Sequence, residues 1–251
     1  MISVKSPREI EIMKEAGLIV GECHDLIRTN LKPGMSSQDV NDLVEAHILS
    51  RGATPEFKGY NGFPAASCCS VNDVVVHGFP NNTSLEVGDI ISVDIGARFN
   101  GYVGDSAWTY KVGEFEDQDI DRLLTGTKEA LEAGLSQVRE GVHLSDVSHA
   151  IEEVAKKYNL GIVRNFAGHG VGARLHEEPE ILNYGKPGRG PILKAGMTLA
   201  IEPMLNLGGD DVYVEADGWT TRTADHKPAA HFEHTVVVTK DGYEILTKQN
   251  N

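Results

Sequence analysis

The chain has few of the features that would call for a covalent, membrane or nucleic-acid explanation. Three cysteines occur in 251 residues, two of them adjacent at Cys68 and Cys69, so no even-numbered, spaced disulfide framework can be drawn and reduced thiols are expected. No run of eighteen apolar residues occurs, which argues against a membrane-spanning helix. The opening MISVKSPREIEIMKEAG turns charged at once, unlike a signal peptide, and the cytoplasm is the expected compartment. Positive charge is also short: 23 Lys and Arg against 37 Asp and Glu give a formal net charge of −14, which opposes phosphate backbones, so no nucleic-acid binding is expected. Low-complexity segments and Pro- or Ser-rich linkers are missing, so nothing marks a domain boundary. What remains is a globular composition, 40% hydrophobic, sufficient for a full core.

Ser6, Pro7 and Glu9 read as N-cap, N1 and N3 of a helix whose apolar stripe runs through Ile10, Met13, Val20 and Ile27, predicting a first helix over about 7–29. Ser36 caps a second, with Val40, Leu43, Val44 and Ile48 facing inward and Gly52 ending it. A third lies between Asp117 and Val138, and a fourth over about 145–159. VVVHGF, GDIISVDIGA, YVGDSAWTYKV, MTLAIEPML and HFEHTVVVT have the β-branched content and length of strands.

A weak internal repeat runs through these elements. LKPGMSSQDVN resembles VREGVHLSDVS, matching Gly34 with Gly141, Asp39 with Asp146 and Val40 with Val147 at an offset of 107. LEVGDIISVD resembles LKAGMTLAIE at an offset of 108, laying Asp94 over Glu202. Two matches in the same order point to two related halves, each two helices followed by strands. If they pair about a pseudo-twofold axis, Asp94 and Glu202 converge between them.

Asn100 and Gly101 join two strands with the strongest two-residue hairpin signal. That turn sets Asp94 opposite Ala107 and makes Asp105 its same-face diagonal neighbour, roughly 7–8 Å away between Cα atoms. Two such carboxylates need a cation, a proton or solvent between them. Ile91, Val93 and Ile95 on the opposite face, and Trp108 and Tyr110 nearby, argue that the surface is partly covered. Glu202 ends an apolar run before Pro203, and an unpaired buried carboxylate there would be costly. In HFEHTVVV, alternation puts His231, Glu233 and Thr235 on one face and His234 on the other, making Glu233 a fourth carboxylate.

NFAGHGVGARLHEEP, residues 165–179, contains two histidines among three glycines. Gly168, Gly170 and Ala173 fit a loose dinucleotide fingerprint, but that loop must open a helix, and Pro179 follows with no helical stripe. His169, between two glycines, is the natural nitrogen donor to the carboxylates. His77, before Gly78, has a similar setting, while His176 reads as a loop residue that solvent alone would explain. Four carboxylates and one imidazole, with no thiolate, jointly describe a hard to borderline site for divalent first-row metals.

The ordered set Asp94, Asp105, His169, Glu202 and Glu233, with HGFP at 77, GHGVGARLHEEP at 168 and AIEPM at 200, resembles the type I methionine aminopeptidases over nearly the whole chain. The resemblance implies an α/β (α+β) "pita-bread" fold. That is a single catalytic domain, 1–251, whose two pseudo-symmetric halves, roughly 1–113 and 114–251, carry a mostly antiparallel curved sheet covered by helices. Type II enzymes carry a long insertion between the second loop histidine and the IEP glutamate; here 26 positions separate His176 from Glu202, and no N-terminal zinc-binding extension is expected.

The implied reaction is hydrolysis of the bond after an initiator methionine when the second residue is small. The five residues would ligate two divalent ions (Co, Mn, Fe(II) or Zn) that make a bound water acidic near neutral pH. Glu202 would shuttle its proton, His176 would hydrogen-bond the scissile carbonyl, and His77 would contact the backbone of the second residue. Tyr60, Phe63, Cys68, Leu175 and Trp219 would line the methionine pocket, with Phe57 near its mouth. Phe57, Phe63 and Leu175 stand where relatives often have Cys, Tyr and Phe, which bears on pocket shape. Asn72 and Val74 match a position where relatives hold a monovalent cation. The implied partner is the N-terminal methionine of nascent chains, met as a monomer with transient ribosome contact. The alternatives are a proline-directed peptidase of the same fold, usually with an extra N-terminal domain, and a non-catalytic binding protein of that fold, which would typically lose ligands.

Overall fold

The structure, a computed structural model, describes residues 2–250. Helix α1, Pro7–Asn30, starts at a capping box in which Glu9 Oε2 accepts the Ser6 N–H at 2.7 Å, and it buries Met13, Ala16, Val20, Cys23 and Ile27. It ends one residue beyond the sequence expectation. Helix α2 spans Ser37–Ser50, and α3, Gln118–Ser136, is capped by Asp117. Helix α4 spans Leu144–Lys157, so both of its ends lie 107 residues after those of α2. The aspartates matched by the repeat do the same work at both starts: Asp39 accepts the Ser36 N–H at 2.7 Å, and Asp146 accepts that of His143 at 3.2 Å. The loops correspond too, since Gly34 N–H donates to Leu85 O at 2.8 Å and Gly141 N–H to Leu193 O at 2.9 Å.

One helical face differs from expectation. In α2 the buried residues are Ser37, Val40, Asn41, Val44 and Ile48, whereas Leu43 is only half-buried. The stripe turns towards Asn41 because its side-chain oxygen accepts the backbone N–H groups of Ala66 and Ser67 at 3.0 and 3.1 Å. A buried amide that satisfies two donors outcompetes a leucine for the inward position.

Every strand ladder among the described residues is antiparallel, and the strands form four sheets. The hairpin Ile90–Phe99 and Tyr102–Lys111 has the expected register, with Asp94 opposite Ala107 and Gly96 opposite Asp105. Asn100 and Gly101 take φ of 46° and 87°, as a twisted two-residue turn requires. Strand Ser67–Val71, which the sequence reading missed, pairs with the hairpin and sets Cys68 opposite Asp94.

In the second half, two expected strands are each broken. MTLAIEPML divides into Thr198–Ile201 and Met204–Asn206, and HFEHTVVVT into Ala229–His231 and His234–Val238. His234 pairs with Ile201 on one side of the break and His231 with Met204 on the other, in a single register. Neither strand gains a residue, so Glu202 and Glu233 face each other across a common interruption. Glu233 N–H turns to the first half instead, donating to Ala107 O at 2.8 Å, and Ser106 Oγ donates to Glu233 O at 2.6 Å. The halves therefore meet where the hairpin crosses this break.

Helices α1 and α2 bury Ile19, Val20, Ile27, Val44 and Ile48 against Ile91, Val93 and Ile95 of the hairpin. Helices α3 and α4 bury Leu123, Leu131, Val147 and Ile151 with Leu199, Ile201 and Leu205. No described helix is long and apolar enough to cross a membrane, and the three cysteines are buried and unpaired.

Candidate metal centre and substrate cavity

The five expected ligands come together on one wall of a cavity of about 330 Å³. The hairpin contributes Asp94 and Asp105, the interrupted pair of strands contributes Glu202 and Glu233, and the short strand Gly168–Gly170 contributes His169. The glycines beside His169 follow from crowding. A Cβ on Gly168 would lie 2.4 Å from Ala200 O, and one on Gly170 would lie 2.2 Å from Glu178 O. Part of the stretch read as loop is therefore a central strand that only glycine allows between its neighbours.

His169 Nδ1 donates to Gly170 O at 2.9 Å, which leaves the Nε2 lone pair facing Asp105 Oδ2 at 3.6 Å and Glu202 Oε1 at 3.5 Å. Asp105, His169 and Glu233 form one group of three donors able to share a metal ion; Glu202, His231 and Glu233 form another. Asp105 and Glu233 are 3% and 1% exposed, so solvent does not explain them. Asp94 Oδ1, Asp105 Oδ1 and Glu233 Oε1 are buried without hydrogen-bond partners among the described residues. Each such oxygen carries a desolvation cost that a partner would remove.

The acidities agree. Burial first, then the neighbouring carboxylates, push Asp105 and Glu233 well above the ordinary carboxylate range, and burial does the same to Glu202. Burial lifts Asp94 to about 7, partly opposed by His231. His169, buried and beside His176, is lowered to about 4 and is neutral at pH 7, as a ligand must be. Four carboxylates that resist ionisation together, with oxygens left unsatisfied and a neutral imidazole among them, fit a divalent cation on both charge and donor type. Cys68 is no nucleophile, since burial and Asp94 hold its thiol far above neutral pH.

Phe57, Tyr60, Phe63, Cys68, Leu175 and Trp219 line the same cavity. Phe63 meets Trp219 edge to face at 5.2 Å. His77, at φ 60°, packs edge-on to Trp219 and Phe166 at 6.0 and 5.2 Å, and burial lowers it to about 4. His176 stands at the mouth, just before strand Glu177–Ile181, 4.3 Å between centroids from the His169 ring. It is not an idle loop residue, because Nδ1 hydrogen-bonds the Tyr60 hydroxyl at 2.7 Å.

Sequence reasoning missed the lining residues Asn61, Val76, Phe166, Ala167 and Met204, which come from well-separated stretches of the chain. It also left His231 without a role. His231 is 2% exposed, and its Nε2 lies 3.3 Å from Glu202 Oε2 and 4.0 Å from Glu233 Oε2. The signal was present, since alternation had placed it on the same face as Glu233.

A cluster of hard oxygens and imidazole beside an apolar pocket is the equipment of a metal-dependent hydrolase, and known proteins place it further. Residues 11–240 match the model of metallopeptidase family M24. Methionine aminopeptidase 1 of Bacillus subtilis is 50% identical over 248 residues, covering 99% of this chain and 100% of that one. The crystal structure of methionine aminopeptidase from Thermotoga maritima superposes with a TM-score of 0.97 at 46% identity, covering 99% and 100% of the two chains. That from Rickettsia prowazekii gives 0.97 at 40% identity with the same coverage. The chain belongs to metallopeptidase family M24 and, within it, to the type I methionine aminopeptidases.

Proposed function

We propose that the chain removes the N-terminal methionine from newly made polypeptides when the second residue is small, acting over 1–251 as one catalytic domain. The observation that carries this reading is the meeting of Asp94, Asp105, His169, Glu202 and Glu233 in a cavity that apolar and aromatic side chains also line. Those five residues would hold two divalent ions, drawn from Mn, Fe(II), Co or Zn; the donor atoms of three of them, Asp105, His169 and Glu233, already lie close enough to share one ion. When bound, the ions would supply Lewis-acid polarisation and make a water acidic near neutral pH.

The chain's own residues do the rest. Glu202, raised in basicity by burial, accepts a proton and returns it to the departing amine. With Tyr60 donating to His176 Nδ1, the proton of His176 sits on Nε2, which donates to the scissile carbonyl as negative charge develops there. His77 hydrogen-bonds the backbone of the second residue. The thioether side chain packs among Tyr60, Phe63, Cys68, Leu175 and Trp219.

A monovalent cation at the carbonyls of Asn72 and Val74 is a smaller part of the proposal. Asn72 O already accepts the Ala229 N–H at 2.9 Å and keeps one lone pair for it. A monomer in the cytoplasm with transient ribosome contact completes the reading. The proline-directed and non-catalytic alternatives lose ground because a relative at 50% identity over essentially full length is a methionine aminopeptidase and all five donors meet in one place.

The test is peptide turnover by protein loaded with Mn, Fe(II), Co or Zn. Methionine should be released from Met-Ala and Met-Gly peptides but not from peptides with a bulky second residue. Turnover of X-Pro substrates instead, or none with any of the four metals, would overturn the reading.

A further inference from the structure

His231 lies beside the metal ligands yet belongs to none of the roles above. Its backbone is locked to the first half by Thr109, whose Oγ1 accepts the His231 N–H at 2.9 Å and donates to His231 O at 2.9 Å. With the main chain fixed and the residue 2% exposed, the ring is enclosed beside the ligands. Its Nε2 is buried and without a hydrogen-bond partner among the described residues, and the nearer of its two carboxylate neighbours is Glu202, with Oε2 at 3.3 Å.

The two oxygens of Glu202 face different imidazoles, Oε1 towards His169 at 3.5 Å and Oε2 towards His231 at 3.3 Å. From behind, Asn183 Nδ2 donates to the Glu202 backbone oxygen at 3.0 Å. His169 Nε2 lies almost equally far from two expected ligands, 3.6 Å from Asp105 and 3.5 Å from Glu202, whereas His231 Nε2 lies nearer Glu202, at 3.3 Å, than Glu233, at 4.0 Å. His231 thus has one carboxylate within hydrogen-bonding reach, the Oε2 of Glu202 that points away from His169.

We propose that His231 is a positioning residue of the metal site: its Nε2–H holds Glu202 Oε2, so that Oε1 is the oxygen presented beside His169. A ligating carboxylate fixed by an outer donor binds metal more tightly, and removing such a donor typically costs about 10–100-fold in affinity. The inference rests on the metal-site reading above.

The test titrates metal-free protein with Mn(II) by calorimetry, for wild type and for His231→Leu, His231→Gln and His231→Asn. Gln keeps a donor that can reach Glu202, Asn keeps the polarity but is too short, and Leu removes the donor. Leu and Asn should weaken Mn(II) binding about 10–100-fold, and Gln should stay within about threefold of wild type. Melting of the metal-free forms checks folding, and the Gln and Asn pair decides the matter even if the Leu variant does not fold. The visible absorption of bound Co(II) should be the same in wild type and His231→Gln. Unchanged affinity in His231→Leu or His231→Asn would overturn the role. Equal weakening in all three variants, with a changed Co(II) spectrum in His231→Gln, would overturn it in favour of direct ligation. Wild type that takes up no Mn(II), Co(II) or Zn(II) would remove the metal site itself, a separate failure.

Discussion

Stripped of metal, the protein should become more stable as the solution is made mildly acidic, the reverse of most proteins whose carboxylates are paired. Asp94 is lifted from 3.8 to about 7 in the folded state, while in the unfolded chain it returns to the ordinary value. Between those two values the folded protein binds a proton that the unfolded chain does not, so stability falls as pH rises through this window. Between pH 5.5 and 8 about 1.5 pH units of this window are crossed, which at ~1.4 kcal/mol each give an upper value of about 2 kcal/mol. Asp94 lines an open cavity, so solvent reduces this to about 1–2 kcal/mol, or roughly 2–8 °C in melting temperature for a chain of this size. The assay is thermal melting in chelator at pH 5.5 and 8, for wild type and Asp94→Asn. The wild type should lose stability relative to the variant as pH rises, and a bound divalent ion should remove the difference. Parallel pH profiles in chelator, or a wild type that gains on the variant with rising pH, would refute the reasoning that burial holds the Asp94 carboxyl protonated in the metal-free fold.

Glu202→Gln should lower kcat by about 10²–10⁴ while the fold is retained, read from initial rates on Met-Ala peptides beside a melting curve; near-normal rates would take Glu202 out of proton transfer. His176→Ala should cost about 10²–10³ in kcat, and Tyr60→Phe, which only frees the His176 ring, should cost far less. Gly170→Ala places a Cβ 2.2 Å from Glu178 O, so urea unfolding should show a loss of about 1–3 kcal/mol. A loss below about 0.5 kcal/mol would mean that the strand shifts freely.

The Asp94 and Asp105 pairing was legible in the sequence because a two-residue Asn-Gly turn leaves only one register, and the register puts both side chains on one face. Helix starts were legible for an equally local reason: Ser6, Ser36 and Asp117 satisfy backbone donors within three residues. The repeat was legible because both helix pairs use the same cap and turn chemistry, and it was the repeat that placed Asp94 over Glu202. Leu43 was misjudged because the competitor for its inward place, Asn41, is satisfied by residues 66 and 67 in another segment. The strand at His169 was missed for the same kind of reason. Its glycines are required by Ala200 and Glu178, not by anything nearby in the chain.

By itself, then, the sequence determined what local chemistry determines: caps, turns, the face of each hairpin carboxylate, and a donor set that named metal as the common need. Only the tertiary structure decided that Glu202 and Glu233 share one in-register break, that the hairpin crosses it through Ala107 and Ser106, and that His231 is held there by Thr109. Those outcomes depend on hydrogen bonds between residues more than 120 positions apart along the chain. No periodicity or propensity within a single segment records which distant backbone will satisfy its donors.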